Sequence, residues 1–332
     1  MHMADALVST AVAGTMYACT AGVAIHSVRT IDREQDTKKI PIMGVMGAFV
    51  FAAQMINFSI PGTGSSGHLS GAMMLTILLG PQAGFLTLLG VLLIQALLFA
   101  DGGLLVLGAN VWNMAFYGCF LGYYCIWKPI MKRGVTRKKI WIGSLLGSVI
   151  ALQLGAFSVT VMTTLSGITS LPFTAFVTAM QPIHLAIGLV EGGITGAIIS
   201  FVYEVRPELI KGASLESKSN LFSFKKTLII FGIAALFIGG ILSYAASSHP
   251  DGLEWSIEQL TGETELLEQE GGLHGISGRI QEKCSILPDY GFKNSESVAG
   301  TSFAGISGAV MVLLICGGTC HVITRRKGKI NE

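Results

Sequence analysis

The amino-acid sequence predicts an all-α polytopic membrane protein, with a bundle of about seven helices followed by two additional transmembrane helices. The 332-residue chain is 51% hydrophobic and only 13% charged, and its mean hydropathy is +0.62. Soluble domains carry about 25% charged residues, so membrane lipid is the expected main solvent. A net charge of +2 is too small to indicate a nucleic-acid partner.

Nine apolar stretches approach the roughly 20 residues that a membrane helix needs. In chain order the predicted spans are 5–28, 40–58, 69–80, 82–100, 104–127, 140–165, 173–204, 227–246 and 303–323. The third span is short and leads into Gly80-Pro81, a pair that breaks helices. We therefore expect a half-helix or tilted span there, with a turn before the next helix.

Basic residues distinguish the two faces of the predicted bundle. Nineteen of the 22 basic residues lie in four segments: 29–39, 128–139, 205–226 and 324–332. With nine spans these segments share one face, which the positive-inside rule makes cytoplasmic. The amino terminus then lies outside, as do four loops: 59–68, 101–103, 166–172 and 247–302. The first apolar run precedes the first basic residue, Arg29, so we expect a permanent span rather than a signal peptide.

A change in composition predicts two modules in a multi-pass protein of the inner or plasma membrane. Residues 1–204 form the bundle, 205–226 a cytoplasmic linker, and 227–332 a smaller module with two spans and an acidic outer loop. The sequence has no P-loop pattern and no H-E-x-x-H or G-x-S-x-G pattern. An enzyme or ATPase is therefore not indicated, and uphill transport would need energy from another subunit or an ion gradient.

The first two residues, Met1 and His2, can form a chelate. A free amine, the amide nitrogen of His2 and the Nδ1 atom of its imidazole close one five-membered and one six-membered ring around an ion. Three nitrogens in one plane suit Ni(II) or Cu(II), and such metals readily displace an amide proton. The alternative is that His2 occurs at this position by chance.

A fourth nitrogen ligand is available from His68, which ends the glycine-rich loop 61–68. The predicted topology places this loop on the same face as His2, and its glycines would let it fold over the amino terminus. The alternative for a loop histidine is an ordinary solvated residue. We favour the metal site because both histidines and the free amine are predicted on one face.

Other polar residues are candidates to support these ligands. Ser65, Ser66 or Asn57 could hydrogen-bond the loop over the amino terminus, and Asp5, one turn from His2, could orient an imidazole. A further set lies within apolar runs, where polar groups are costly and often functional: Gln54, Asn110, Asn113, His184 and Glu191. Hydrogen bonding between helices and metal ligation both stay open for His184 and Glu191.

Several stretches resemble the NikM/CbiM family, the substrate-binding S components of nickel and cobalt energy-coupling factor (ECF) transporters. They are Met1-His2, Gly-Thr-Gly-Ser-Ser-Gly-His68-Leu-Ser-Gly-Ala, Gly-Ala-Asn110-Val-Trp-Asn113 and Gln181-Pro-Ile-His184-Leu-Ala-Ile-Gly-Leu-Val-Glu191-Gly. This resemblance covers about residues 1–204. Pro250-Asp-Gly-Leu-Glu-Trp255 and Leu287-Pro-Asp-Tyr290 resemble the small NikN-type "PDGLE" component, which is here fused to the bundle.

The resemblance implies a seven-helix bundle and an ion bound by the Met1 amine, the His2 amide and imidazole, and the His68 imidazole. It also implies two kinds of partner, a transmembrane coupling (T) component and a pair of cytoplasmic ABC ATPases. Ni(II) is favoured as the transported ion because of the planar nitrogen set and the fusion, with Co(II) as the alternative. Rival functions are a metal-binding sensor or scaffold without transport, and a proton-coupled carrier that uses Glu191.

Overall fold

A computed structural model describes residues 1–34, 39–210, 221–267, 271–293, 297 and 299–328. The helices up to residue 131 are α1 (Thr10–Glu34), α2 (Lys39–Gln54), α3 (Ala72–Leu79), α4 (Pro81–Leu98), α5 (Leu107–Val111), a π-helical stretch (Trp112–Trp127) and α6 (Lys128–Met131). The later helices are α7 (Arg137–Ser166), α8 (Phe173–Val205), α9 (Phe224–Gly240), α10 (Gly252–Thr261), α11 (Gly272–Cys284) and α12 (Ala299–Gly328). Two short strands, β1 (Phe58–Ser59) and β2 (Ser66–Gly67), form an antiparallel hairpin.

The prediction of an all-α polytopic membrane protein is confirmed. Within the described residues, five helices are long and apolar enough to cross a membrane by length and composition: Thr10–Ile31, Pro81–Leu98, Arg137–Ser166, Phe173–Val205 and Ala299–Cys316. A shorter apolar helix covers Ile40–Gln54. The expected break is also present, because α3 has only eight residues and ends where Gly80 adopts a φ of 87°.

The first helix differs from its prediction, since α1 begins at Thr10 rather than near residue 5. Residues Asp5–Leu7 form a single 3-10 turn. The Asp5 carboxylate accepts hydrogen bonds from the backbone amides of Leu105 at 3.2 Å and Val106 at 3.1 Å. These long-range hydrogen bonds draw the first residues into the bundle, so helical periodicity alone does not fix where α1 starts.

The fused part packs directly on the bundle. Helices α9 and α12 lie against α2 and against each other, while α10 packs on α8 and α11 packs on α4. The middle of the predicted linker, 211–220, lies outside the described residues, as do Lys38 and the end of the chain from residue 329. The division into 1–204, 205–226 and 227–332 stays a prediction.

Candidate metal centre

The amino terminus is threaded into the bundle. Met3 is fully buried, and the Met1 residue is only 5% exposed. The Met3 amide donates to Asn110 Oδ1 at 2.8 Å, and the Met3 carbonyl accepts from Asn110 Nδ2 at 3.1 Å and from the Gly103 amide at 2.9 Å. Asn110, predicted as an intramembrane polar residue, thus fixes the main chain two residues after the first amine.

The backbone that carries His68 is held from two sides. Glu191 accepts hydrogen bonds from the Ser70 amide and hydroxyl, both at 2.7 Å, and from the Gly71 amide at 3.2 Å. Gln54 donates to the Ser70 carbonyl at 2.9 Å. Both roles were open for Glu191 in the sequence, and in the structure its carboxylate hydrogen-bonds the segment that follows His68.

The structure brings Met1, His2 and His68 together. The Met1 amine lies 3.4 Å from His68 Nε2, and the two imidazole rings stack with centroids 5.0 Å apart and an interplanar angle of 17°. His68 Nδ1 lies 3.1 Å from the Leu69 carbonyl, which accepts only if Nδ1 carries the proton. The lone pair of His68 is therefore on Nε2, the atom that faces the amine.

Burial keeps His68 neutral. Burial, together with the positive charges of the Met1 ammonium and His2, lowers the pKa of His68 to about 3. An imidazole binds a metal ion in its neutral form. At neutral pH, His68 therefore has no proton to lose before it can act as a ligand.

The carboxylate beside His2 is Asp101, and this corrects the prediction that Asp5 would orient the ring. His2 Nδ1 lies 3.0 Å from Asp101 Oδ1, and the Tyr290 hydroxyl donates to the other oxygen of Asp101. Burial raises the pKa of Asp101, but the charge and hydrogen bond of His2 outweigh this and lower it to about 2. Asp5 instead caps the backbone at residues 105 and 106, as described above.

Asp251, the aspartate of the PDGLE-like motif, contacts the other two predicted ligands. Its Oδ2 atom lies 2.8 Å from the Met1 amine and 3.8 Å from His68 Nε2. Its Oδ1 atom caps α10 by accepting from the Leu253 and Glu254 amides at 2.7 and 2.9 Å. Burial raises the pKa of Asp251, but the Met1 ammonium dominates and holds it well below its usual range.

Sequence reasoning missed Asp101 and Asp251 as neighbours of the ligands. For Asp251 a signal was present, since an aspartate three residues before a glutamate is the pattern of a helix capping box, and the structure has one at Asp251 and Glu254. That pattern indicates where α10 starts, but it does not tell which surface the helix start contacts. Asp101 follows the apolar run of α4 in a short loop, and nothing in the local sequence links it to His2.

Two of the residues predicted to support the amino terminus, Ser66 and Asn57, contact the fused module instead. The Ser66 amide donates to the Pro250 carbonyl at 2.8 Å, and the Ser66 hydroxyl donates to the His249 carbonyl at 2.7 Å. The Asn57 carbonyl accepts from the Ser247 amide at 2.7 Å, while the Ser65 hydroxyl makes a local hydrogen bond with the Ser66 carbonyl. Ser66 and Asn57 therefore hold the 247–250 segment of the fused module rather than the amino terminus, whereas the Ser65 hydroxyl contacts only its own loop.

His184 lies next to two of the predicted ligands, Met1 and His68. Its Nδ1 atom donates to the Met180 carbonyl at 2.8 Å, which leaves the lone pair on Nε2. That nitrogen is buried and finds no hydrogen-bond partner in the described parts of the chain. His184 lines a cavity of about 10 Å³ together with Met1, His68 and Asp251, which is room for about one water-sized species.

A buried cluster of one amine and two imidazoles in a bundle of membrane helices is a set of nitrogen donors of the kind that transition-metal ions prefer. Residues 2–209 match the family model described as "Cobalt uptake substrate-specific transmembrane region", CbiM, and residues 225–325 match the PDGLE domain. The chain belongs to the NikM/CbiM family and carries a fused NikN-type PDGLE component.

Two relatives match nearly the whole length of this chain. The chain is 34% identical over 323 residues to the "Putative fused nickel transport protein NikMN" of Archaeoglobus fulgidus, covering 95% of this chain and 96% of the relative. It is 30% identical to the "Probable fused nickel transport protein LarMN" of Lactiplantibacillus plantarum, covering 97% and 98%. A crystal structure of a truncated transition metal transporter superposes with a TM-score of 0.55 at 30% identity, covering 61% of this chain and 99% of that one.

These findings define the protein at the level of its family. It is a multi-pass membrane protein of a nickel and cobalt transport family, and a transporter component rather than an enzyme. Relatives in this family are named as nickel or cobalt transport proteins.

Proposed function

We propose that this chain is the substrate-binding component of an ECF-type importer that captures Ni(II) at the outer face of the membrane. A transmembrane coupling component and cytoplasmic ABC ATPases would drive uptake, in keeping with the absence of a P-loop from the sequence. One observation carries the proposal: the Met1 amine lies 3.4 Å from His68 Nε2, beside the stacked ring of His2, in a buried site.

The proposed ligands are the Met1 amine, the amide nitrogen and Nδ1 of His2, and Nε2 of His68. Three of these nitrogen atoms belong to the first two residues. The fourth, His68 Nε2, lies 3.4 Å from the Met1 amine in the structure. In the structure, His2 Nδ1 contacts Asp101. Chelation therefore requires the Met1 ammonium and the His2 amide to release their protons, and the His2 ring to flip so that Nδ1 faces the ion and the Nε2–H group takes its place beside Asp101.

Nickel is favoured over cobalt because four nitrogens around the chelate of Met1 and His2 suit a square-planar ion. Two full-length relatives are named as nickel transport proteins. Cobalt is the second candidate, because the matching family model describes cobalt uptake. Competition between Ni(II) and Co(II) for the purified protein separates the two.

The first experiment tests the free amine. The purified full chain is titrated with Ni(II) and followed by visible absorption, where a low-spin planar complex gives a yellow, diamagnetic species. A version with one residue added before Met1 should lose the spectrum and tight binding, because the added peptide bond removes the amine. A version with a carboxy-terminal tag is the matched control and should bind like the untagged chain. Equal binding by all three versions would refute the chelate.

The second experiment tests transport. Proteoliposomes that contain the chain with its coupling component and ATPases should accumulate Ni(II) only when ATP is present. The same vesicles without the ATPases should bind the ion without accumulating it. Uptake by the chain alone, driven by a proton gradient and abolished by Glu191→Gln, would instead support a proton-coupled carrier. Binding without uptake in the complete system would support a sensor or scaffold.

A further inference from the structure

A second, larger cavity lies next to the metal centre and is lined by both modules. It has a volume of about 370 Å³, and five carboxylate residues line it: Asp101, Asp251, Glu254, Glu265 and Asp289. No lysine or arginine is among its lining residues in the part of the chain that the structure describes. The cavity therefore has a negative lining that would attract cations.

The five carboxylate residues that line this cavity differ in how deeply they are buried. Glu265 and Asp289 are exposed, Asp101 and Glu254 are half-buried, and Asp251 is buried. Four of the five come from the fused module, while Asp101 comes from the loop after α4. The exposed pair marks the mouth of the cavity, and Asp251 marks its inner end.

An independent feature of the cavity points to a metal cation. His2 also lines it, and the side chain of His2 is only 8% exposed. The Nε2 atom of His2 is buried and has no hydrogen-bond partner within the described residues. An unpartnered imidazole nitrogen at the inner end of a carboxylate-lined cavity suits a divalent transition metal.

The two neighbouring cavities differ in whether they have room for a hydrated metal ion. The outer one has room for an ion with a complete water shell, since each water takes about 30 Å³ in the liquid. The inner one, of about 10 Å³, has room for only about one water-sized species. Asp251 lines both cavities, so it forms the wall between them.

From this arrangement we infer that the outer cavity is a loading vestibule, in which a hydrated divalent cation is held by carboxylates before it loses water at Asp251 and reaches the chelate. Among the described residues, no group of three or more His, Cys, Asp or Glu side chains could hold a metal ion directly. The vestibule therefore holds the cation through its water shell rather than as a second tight site. The inference rests on the proposed chelate and adds the route by which the ion reaches it.

The vestibule is tested by neutralising its mouth in the full chain with Glu265→Gln and Asp289→Asn together. Both side chains are exposed, and asparagine tolerates the left-handed backbone of Asp289, whose φ is 48°. The rate of Ni(II) association is measured by stopped-flow absorption at several salt concentrations. We expect a rate about tenfold lower at low salt and a weaker salt dependence, because the lost charges steer the ion. The absorption spectrum at saturation should not change.

The matched control is Glu263→Gln with Glu282→Gln, which removes the same charge from two exposed residues outside the cavity lining. At each salt concentration its association rate should fall clearly less than that of the vestibule variant, because Glu263 and Glu282 do not line the cavity. An unchanged rate in the vestibule variant, or equal slowing in the control, would overturn the inference. Failure of the unmodified chain to form the planar complex would instead count against the chelate itself.

Discussion

The bundle and the fused module contribute different chemistry to one site. The bundle supplies nitrogen, from the Met1 amine and the imidazoles of His2 and His68. The module supplies oxygen, from the Asp251 carboxylate on the amine and the Tyr290 hydroxyl on Asp101. Nitrogen donors select transition metals, whereas the surrounding oxygens orient those donors. Under the proposed function, the bundle coordinates the ion, while access and ligand orientation depend on the module.

The way each module is held agrees with this division. Bundle ligands are fixed by hydrogen bonds within the bundle, such as those of Asn110 to Met3 and of Glu191 to Ser70. The module packs closely against α8 at Gly252. An added Cβ there would lie 2.7 Å from the Ile183 side chain and 3.1 Å from His184. A larger residue at position 252 would therefore force the Ile183 side chain to shift.

The largest expected effect comes from removing a bundle nitrogen. His68→Ala should lower Ni(II) affinity by more than about 100-fold and abolish the planar spectrum, because even a hydrogen-bond partner of a ligand contributes about 10–100-fold. The matched control is His249→Ala. His249 is exposed on the same surface, and its carbonyl accepts the Ser66 hydroxyl, so the variant should bind normally. An equal loss of Ni(II) affinity in both variants would show that the effect of His68→Ala does not come from removing a metal ligand.

A smaller effect is expected from the module carboxylate. Asp251→Asn keeps the Oδ1 cap of α10 but places a neutral amide against the Met1 amine. We expect a decrease in Ni(II) affinity of about 10–100-fold with the planar spectrum retained, as for partners that orient a ligand. Isothermal titration and absorption together measure both quantities. Loss of the planar spectrum in Asp251→Asn would mean that the module itself supplies a ligand.

The sequence predicted the bundle side of this comparison better than the module side. The proximity of Met1, His2 and His68 could be predicted because chelate geometry and the distribution of basic residues are both visible in the sequence, while their role as metal ligands stays a prediction. The contacts of Asp101, Asp251 and Tyr290 depend on how distant segments pack, and the residues concerned are up to 250 positions apart. Asp5 bonds the distant backbone amides of residues 105 and 106 rather than His2, because proximity in the sequence does not place two side chains together in space.

The presence of each helix was also easier to predict than the residues at which it begins and ends. Apolar length predicted the helices and the Gly80 break, because membrane spans must satisfy their backbone hydrogen bonds internally. The start of α1 at Thr10 depends instead on Asp5 binding the distant amides of residues 105 and 106. A local pattern carries no information about such long-range hydrogen bonds.

A third prediction concerns the second motif of the module. Tyr290→Phe removes the hydroxyl that donates to Asp101, which leaves His2 less firmly oriented. The loss of one hydrogen bond, about 1 kcal/mol, should lower Ni(II) affinity by about fivefold. Tyr244→Phe, at an exposed tyrosine, is the matched control and should bind like the unmodified chain. A fivefold loss in the control, or none in Tyr290→Phe, would break the link between this motif and the metal centre.

The last expected effect is on stability rather than on affinity, and it concerns Asp101 in the absence of metal. Its pKa is lowered to about 2, so ionised Asp101 stabilises the folded chain above the ordinary carboxyl pKa of about 3.9, and this stabilisation is lost as the pH falls through about 2. The contribution is roughly 2 kcal/mol. Asp101→Asn cannot titrate, so its melting temperature should be lower than that of the unmodified chain at pH 6, and the gap should narrow between about pH 4 and 2. Asp251 titrates in both proteins and largely cancels from the difference. A gap that stays constant over this range would show that His2 and Asp101 do not form an ion pair in the folded chain.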